Sequence, residues 1–143
     1  MIVIFEGIDK VGKTTLIKEF GKKERYKSLC MDRGPGGYLF YDSIFKRLDQ
    51  ERLRNIASEI DDINRVKHVV IYLWADEKTV MQRLKENNEE YIYDMDFKSA
   101  IDMYAKIVET VYKNDVVLFL NTMRFTVAEC VMNIMDFVRK NGG

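Results

Sequence analysis

Short apolar runs alternate with helical stripes along the chain. Residues 2–6 (Ile-Val-Ile-Phe-Glu) form an apolar run that stops at Gly7 and predicts a buried strand. Leu16, Ile17 and Phe20 share one helical face, predicting a helix over 13–24 with Gly21 as a stop signal. Residues 27–32 read as a second strand. Tyr41, Ile44, Phe45 and Leu48 mark a helix after a Gly-Pro-Gly-Gly turn, and Leu53, Ile56, Ile60 and Ile63 mark another. The clearest strand is 68–74 (His-Val-Val-Ile-Tyr-Leu-Trp); Asp76 can cap the helix after it, which carries Val80, Met81 and Leu84. Residues 86–96 are polar and read as a loop with five acids and no base. Phe97, Ile101, Tyr104, Ile107, Val108 and Val111 make a long helical stripe, and 115–120 a last strand. Thr126-Val-Ala-Glu129 has the form of a capping box opening a C-terminal helix. Four strands that are apolar throughout, separated by helices, predict an α/β fold with a parallel sheet covered on both faces.

The length of 143 residues makes residues 1–143 a single domain with a sizeable core. Lys plus Arg and Asp plus Glu both number 23, so no bulk charge attracts the chain to nucleic acid or to an anionic membrane. Cys30 and Cys130 have no metal-ligand spacing, and no apolar run approaches a membrane span, so a reduced cytoplasmic setting is expected. Gly and Pro are absent from residues 38–141. Backbone freedom therefore concentrates at 7–12 and 34–37, and the active site is expected there.

Residues 7–14 read Gly-Ile-Asp-Lys-Val-Gly-Lys-Thr, a complete G-x-x-x-x-G-K-[ST] phosphate loop between a predicted strand and a predicted helix. The loop's N–H groups (Gly7, Ile8, Asp9, Lys10, Val11, Gly12, Lys13, Thr14, Thr15) converge on the positive end of a helix dipole. Lys13 would reach the β- and γ-phosphates of ATP, and the Thr14 hydroxyl would ligate Mg²⁺. Asn-Lys-x-Asp, the guanine reader of GTPases, is absent, and motor ATPases are larger. A small phosphotransferase fits the length best.

Residues 3–15, Val-Ile-Phe-Glu-Gly-Ile-Asp-Lys-Val-Gly-Lys-Thr-Thr, resemble the opening of thymidylate kinases and related deoxynucleoside kinases. Asp32-Arg33 resembles the Asp-Arg motif of that family, Val70-Ile-Tyr-Leu and Gln82-Arg83-Leu84 its fourth strand and lid start, and Leu120-Asn121-Thr122 its adenine-side loop. The chain departs from the family in being short. Only 18 residues separate Lys13 from Asp32, so one strand and two helices are missing, with much of the pocket for the acceptor base. A rival alignment sets Arg33-Gly-Pro-Gly-Gly37 on the family's Arg-Glu-Pro-Gly-Gly turn. The Asp-Arg reading is preferred, because an acid belongs beside the phosphate loop.

The resemblance implies a three-layer phosphate-loop kinase fold with strand order 2-1-3-4. It implies that Asp32 orients the water shell of Mg²⁺, that Arg33 holds the acceptor's phosphate and that Asp9 binds the acceptor sugar. Glu6 would take a proton from a hydroxyl acceptor, or else be a buried acid paired with a cation. Arg83 would meet adenine or phosphate, or be a solvated helix charge, and Asn121 would lie beside adenine. Lys10 would serve in place of arginines that the acidic 86–96 segment cannot supply, or be a solvated lysine. Tyr38 and Tyr41 are candidates to line the acceptor base; His68 and Trp74 read as structural. The expected activity is phosphoryl transfer from ATP to a small-molecule nucleotide, a deoxynucleoside monophosphate first, with a homodimer allowed and membrane not expected. A deoxynucleoside kinase, a kinase of a modified base in DNA and a non-catalytic nucleotide binder remain as rivals.

Overall fold

In the computed structural model, which describes residues 1–8, 10–89, 93 and 95–142, the strands are β1 (Ile2–Glu6), β2 (Leu29–Asp32), β3 (His68–Trp74) and β4 (Val117–Asn121). They form one sheet ordered β2-β1-β3-β4, and every pairing is parallel. Six helices connect and follow them: α1 (Lys13–Lys23), α2 (Pro35–Ile44), α3 (Gln50–Asn64), α4 (Glu77–Glu86), α5 (Phe97–Val111) and α6 (Val127–Lys140). The order is the expected one. No helix among the described residues is long and apolar enough to cross a membrane.

Alternation along β1 divides the core. Phe5 points to one face and packs on Phe20 of α1, ring centroids 5.9 Å apart, and α1 in turn lies against α6. Glu6 points to the other face, towards α2 and α5, where its register partner Tyr72 of β3 meets Tyr104 at 5.9 Å. The central strands β1 and β3 are buried almost throughout, as parallel strands covered on two sides must be. The edges are not: Leu29 of β2 is 65% exposed and Phe119 of β4 is 52% exposed.

Several local expectations are corrected. Gly21 does not stop α1, which runs on to Lys23; a Cβ there would sit 3.2 Å from the Tyr26 ring. The Gly-Pro-Gly-Gly segment is the first turn of α2, with Pro35 at the first helical position, where its missing N–H costs nothing. Leu48 falls between helices, because Asp49 caps α3 by accepting from Arg52 N at 2.8 Å. Strand β4 starts at Val117 rather than 115, and the Asp115 carboxylate lies 2.9 Å from His68 Nε2. The 86–96 segment is not all solvated: Tyr93 is buried against Phe40, Tyr41, Phe45 and Phe97, and Asp96 caps α5.

Candidate active site

The loop after β1 enters α1 through Gly12, whose φ of 92° only glycine adopts without strain. No side chain caps α1 and no acid lies in its first turn. The contrast with the other helices is informative. Asp49, Asp76, Asp96 and Thr126 cap α3, α4, α5 and α6. The donors opening α2 are also taken: Gly34 N and Gly37 N reach Glu6 at 3.2 and 2.9 Å, and Gly36 N reaches the Tyr112 hydroxyl at 3.2 Å. Among the described residues, then, no side chain takes the first N–H groups of α1, an arrangement suited to an anion.

They face a cleft of about 510 Å³, lined by Ile8, Lys10, Gly12, Lys13, Thr14 and Thr15 of the loop and α1, with Asp32, Arg33 and Glu89 opposite. Lys13 Nζ lies 3.0 Å from Asp32 Oδ1. Parallel pairing of β2 with β1 brings this about, since Asp32 is in register with Phe5. Arg33 follows with φ 81°, its N–H donating to Phe5 O at 2.9 Å. Its guanidinium lies 4.0 Å over the Tyr41 ring, and its buried Nε has no hydrogen-bond partner among the described residues.

Lys10 is held from α4. Its φ of 67° is left-handed, which costs a non-glycine residue roughly 1–2 kcal/mol. Arg83 Nη1 donates to the Lys10 carbonyl at 2.7 Å and fixes that peptide. The Lys10 ammonium pairs with Glu89.

Glu6 is the point at which the structure redirects an expectation. It is fully buried, and four donors fill its carboxylate: Gly34 N and the Tyr104 hydroxyl (2.9 Å) on Oε1, Gly37 N and the Tyr112 hydroxyl (2.5 Å) on Oε2. It joins α2 and α5 to β1 and does not line the cleft. Neither alternative for Glu6 foresaw this: its partners are neutral donors, not a cation, and no oxygen is left over to take a substrate proton. Burial pushes its carboxyl above the usual carboxylate range, with the donors pulling part of the way back. Burial and the neighbouring Glu6 charge push Tyr104 and Tyr112 well above the ordinary phenol range, and Tyr72 up to about 12. The glycines at 34, 36 and 37 serve this contact rather than the cleft. A Cβ on Gly36 would lie 2.6 Å from Glu6 Oε2.

The remaining candidates separate. Val11 is wholly buried, so only its backbone can serve a ligand. Arg83 contacts the loop rather than the cleft. Asn121 ends β4 and accepts from Met123 N at 2.9 Å; it is not a lining residue either. Tyr41 is buried under Arg33, whereas Tyr38 is exposed. Asp9 lies outside the described residues. Glu89 is the cleft residue that sequence reasoning missed, seen there only as one acid in a polar run.

Among the described residues no three His, Cys, Asp or Glu side chains gather as a metal cluster. One hydroxyl (Thr14) and one carboxylate (Asp32) in the same cleft nevertheless suit Mg²⁺, which takes few protein ligands and completes its shell with water and phosphate.

No protein-family model matches the chain. In sequence it is 29% identical over 102 residues to YorR, an SPbeta prophage-derived uncharacterized protein of Bacillus subtilis strain 168; the match covers 69% of this chain and 59% of that protein. The crystal structure of Bacillus subtilis YorR in complex with phosphorylated GDP superposes with a TM-score of 0.74 at 22% identity, over 97% of this chain and 96% of that one. Deoxyadenosine kinase from M. mycoides with bound dCTP gives 0.69 at 14% identity, over 98% and 100% of the two chains. The same enzyme with dCMP and a flexible dCDP gives 0.59 at 16% identity, over 98% and 100%. Strand order, phosphate loop and these superpositions together give the chain a phosphate-loop α/β fold like that of YorR and of deoxyadenosine kinase.

Proposed function

We propose that this chain transfers the γ-phosphoryl group of ATP to a nucleotide, first of all a deoxynucleoside monophosphate, in the manner of thymidylate kinases. The observation that carries the reading is the meeting of Lys13, Asp32 and Arg33 in one cleft at the uncapped start of α1. Lys13 and the N–H groups of the loop would hold the donor's β- and γ-phosphates. Thr14 and Asp32 would hold Mg²⁺, which supplies charge neutralisation between those phosphates. Catalysis is then orientation and electrostatic stabilisation, with no covalent step on the protein.

Arg33 supports a phosphate acceptor. It offers a cation at the cleft with a buried Nε still to be satisfied. A hydroxyl acceptor would need a base within reach, and the carboxylate oxygens of Glu6 are filled. The second reading, a deoxynucleoside kinase, is favoured by the likeness to deoxyadenosine kinase over that enzyme's whole chain. A reducing compartment such as the cytoplasm would keep Cys30 and Cys130 as the free thiols they are here.

Incubation with labelled ATP, Mg²⁺ and a panel of nucleosides, nucleoside monophosphates and DNA tests the reading. Label is expected on a monophosphate, with Arg33→Ala losing more activity than Glu6→Gln. Label on a free nucleoside, with the opposite order of variants, would select the second reading. Label on DNA would select a kinase of a modified base, and no transfer with tight ATP binding a nucleotide binder.

A further inference from the structure

Both lysines of the phosphate loop end on carboxylates, and the two acids differ in how they are held. Asp32 ends β2 and is fixed by its register with β1. Glu89 follows α4, its N–H bonded to Leu84 O at 2.9 Å after a left-handed Asn88. Its carboxylate reaches into the cleft and pairs with Lys10; the side chains are 47% and 28% exposed. Arg83 of the same helix holds the Lys10 carbonyl. Helix α4 and its C-terminal turn therefore grip Lys10 twice, by main chain and by side chain.

A carboxylate oxygen on a loop ammonium makes the contact that a phosphate oxygen would make there. We propose that Glu89 is an internal occupant of a phosphate subsite at Lys10, which a nucleotide must displace when its phosphate chain reaches that lysine. The inference rests on the nucleotide-binding reading above and deepens it. A triphosphate that extends to Lys10 has to break the pair. It then lies within a Debye length of a displaced negative charge, so the interaction is poorly screened. A monophosphate held elsewhere in the cleft leaves the pair alone. Glu89 thus weakens binding of the longer phosphate chain selectively, and the free loop keeps its lysine neutralised.

The test is equilibrium binding of Mg·ATP and AMP to the full chain and to Glu89→Gln, Lys10→Ala and the double variant. Glu89 is half-exposed, so Glu89→Gln should fold, which thermal unfolding checks; Glu89→Ala removes the same charge and provides a second variant. Glu89→Gln is expected to bind Mg·ATP about threefold to tenfold tighter, with AMP unchanged. In the Lys10→Ala background the gain should vanish. Binding of ATP no tighter than wild type would overturn the proposal and leave the nucleotide reading intact. So would a gain that persists without Lys10, which would be a diffuse field effect. Absence of ATP binding to wild type and to every Glu89 variant would overturn both. A gain of affinity is not what general damage to the fold produces.

Discussion

The Tyr112 hydroxyl lies 2.5 Å from Glu6 Oε2, although the two are 106 positions apart in sequence. Tyr112 also accepts from Gly36 N at 3.2 Å, so one phenol links the end of α5, the tip of β1 and the first turn of α2. Arg33 lies between β2 and α2 in the chain, its N–H bonded to Phe5 O of β1. The Glu6 junction thus helps to fix the chain around Arg33, without itself entering the cleft.

Glu6→Gln should destabilise the fold. One oxygen becomes an NH₂ group facing two donors, which costs about 1–3 kcal/mol for unsatisfied buried groups. The loss depends on pH, with a sign opposite to that of most carboxylates. Burial raises the folded-state pKa above 4.5. The contribution of Glu6 is therefore fully present below the ordinary carboxylate value and is lost as pH rises through the raised one. Glu59 is raised as well, by partial burial and by Glu6. The difference between wild type and Glu6→Gln isolates the Glu6 share. Urea unfolding of both proteins at several pH values should show that difference shrinking as pH rises.

Gly34→Ala tests the same junction sterically. The new Cβ would meet Ile4 Cγ2 and the Tyr112 hydroxyl, each at 2.7 Å, in packed surroundings. A loss of about 1–3 kcal/mol is expected from overpacking. Gly12→Ala is the informative contrast. It has open space but a φ of 92°, so its cost of roughly 1–2 kcal/mol comes from backbone strain. Its nucleotide affinity should fall, whereas Gly34→Ala should lose stability first. Unfolding midpoints and ATP titrations on the same samples separate the two.

Lys13→Ala should abolish most phosphoryl transfer, lowering the rate by orders of magnitude, since the donor loses its cation. Stability should change far less than turnover, because Asp32, its partner, is 55% exposed and stays hydrated when left unpaired, although the Lys13 side chain itself is only 11% exposed. Wild-type turnover in this variant would refute the donor site.

Arg83→Ala should leave Lys10 strained without its anchor at 2.7 Å. ATP affinity is expected to fall about threefold to tenfold, which corresponds to the net worth of an ordinary hydrogen bond, roughly 0.7–1.4 kcal/mol. Arg83→Lys, which can still donate, should recover part of it. A titration showing equal affinity in all three proteins would make Arg83 a bystander.

The loop proposed to hold the donor is written in a continuous stretch of sequence. Gly7 to Thr14 specify a loop between a strand and a helix, and local backbone geometry does the rest, so Lys13 and Thr14 could be placed at the loop-to-helix turn before any fold was known. The caps at Asp76 and Thr126 are legible for the same reason, since their hydrogen bonds close within three residues, and the run at 68–74 is legible because an apolar stretch of that length marks a buried strand whatever its neighbours. The sheet order came from resemblance to a family, since periodicity alone does not say which strands are neighbours. Only the tertiary structure decided what Glu6, Arg83 and Glu89 do. The partners of Glu6 lie at 34, 37, 104 and 112; Arg83 and Glu89 both act on Lys10. A charged side chain takes the role of whatever the packing of distant elements brings within about 3 Å, and neither spacing nor hydrophobic pattern records that distance.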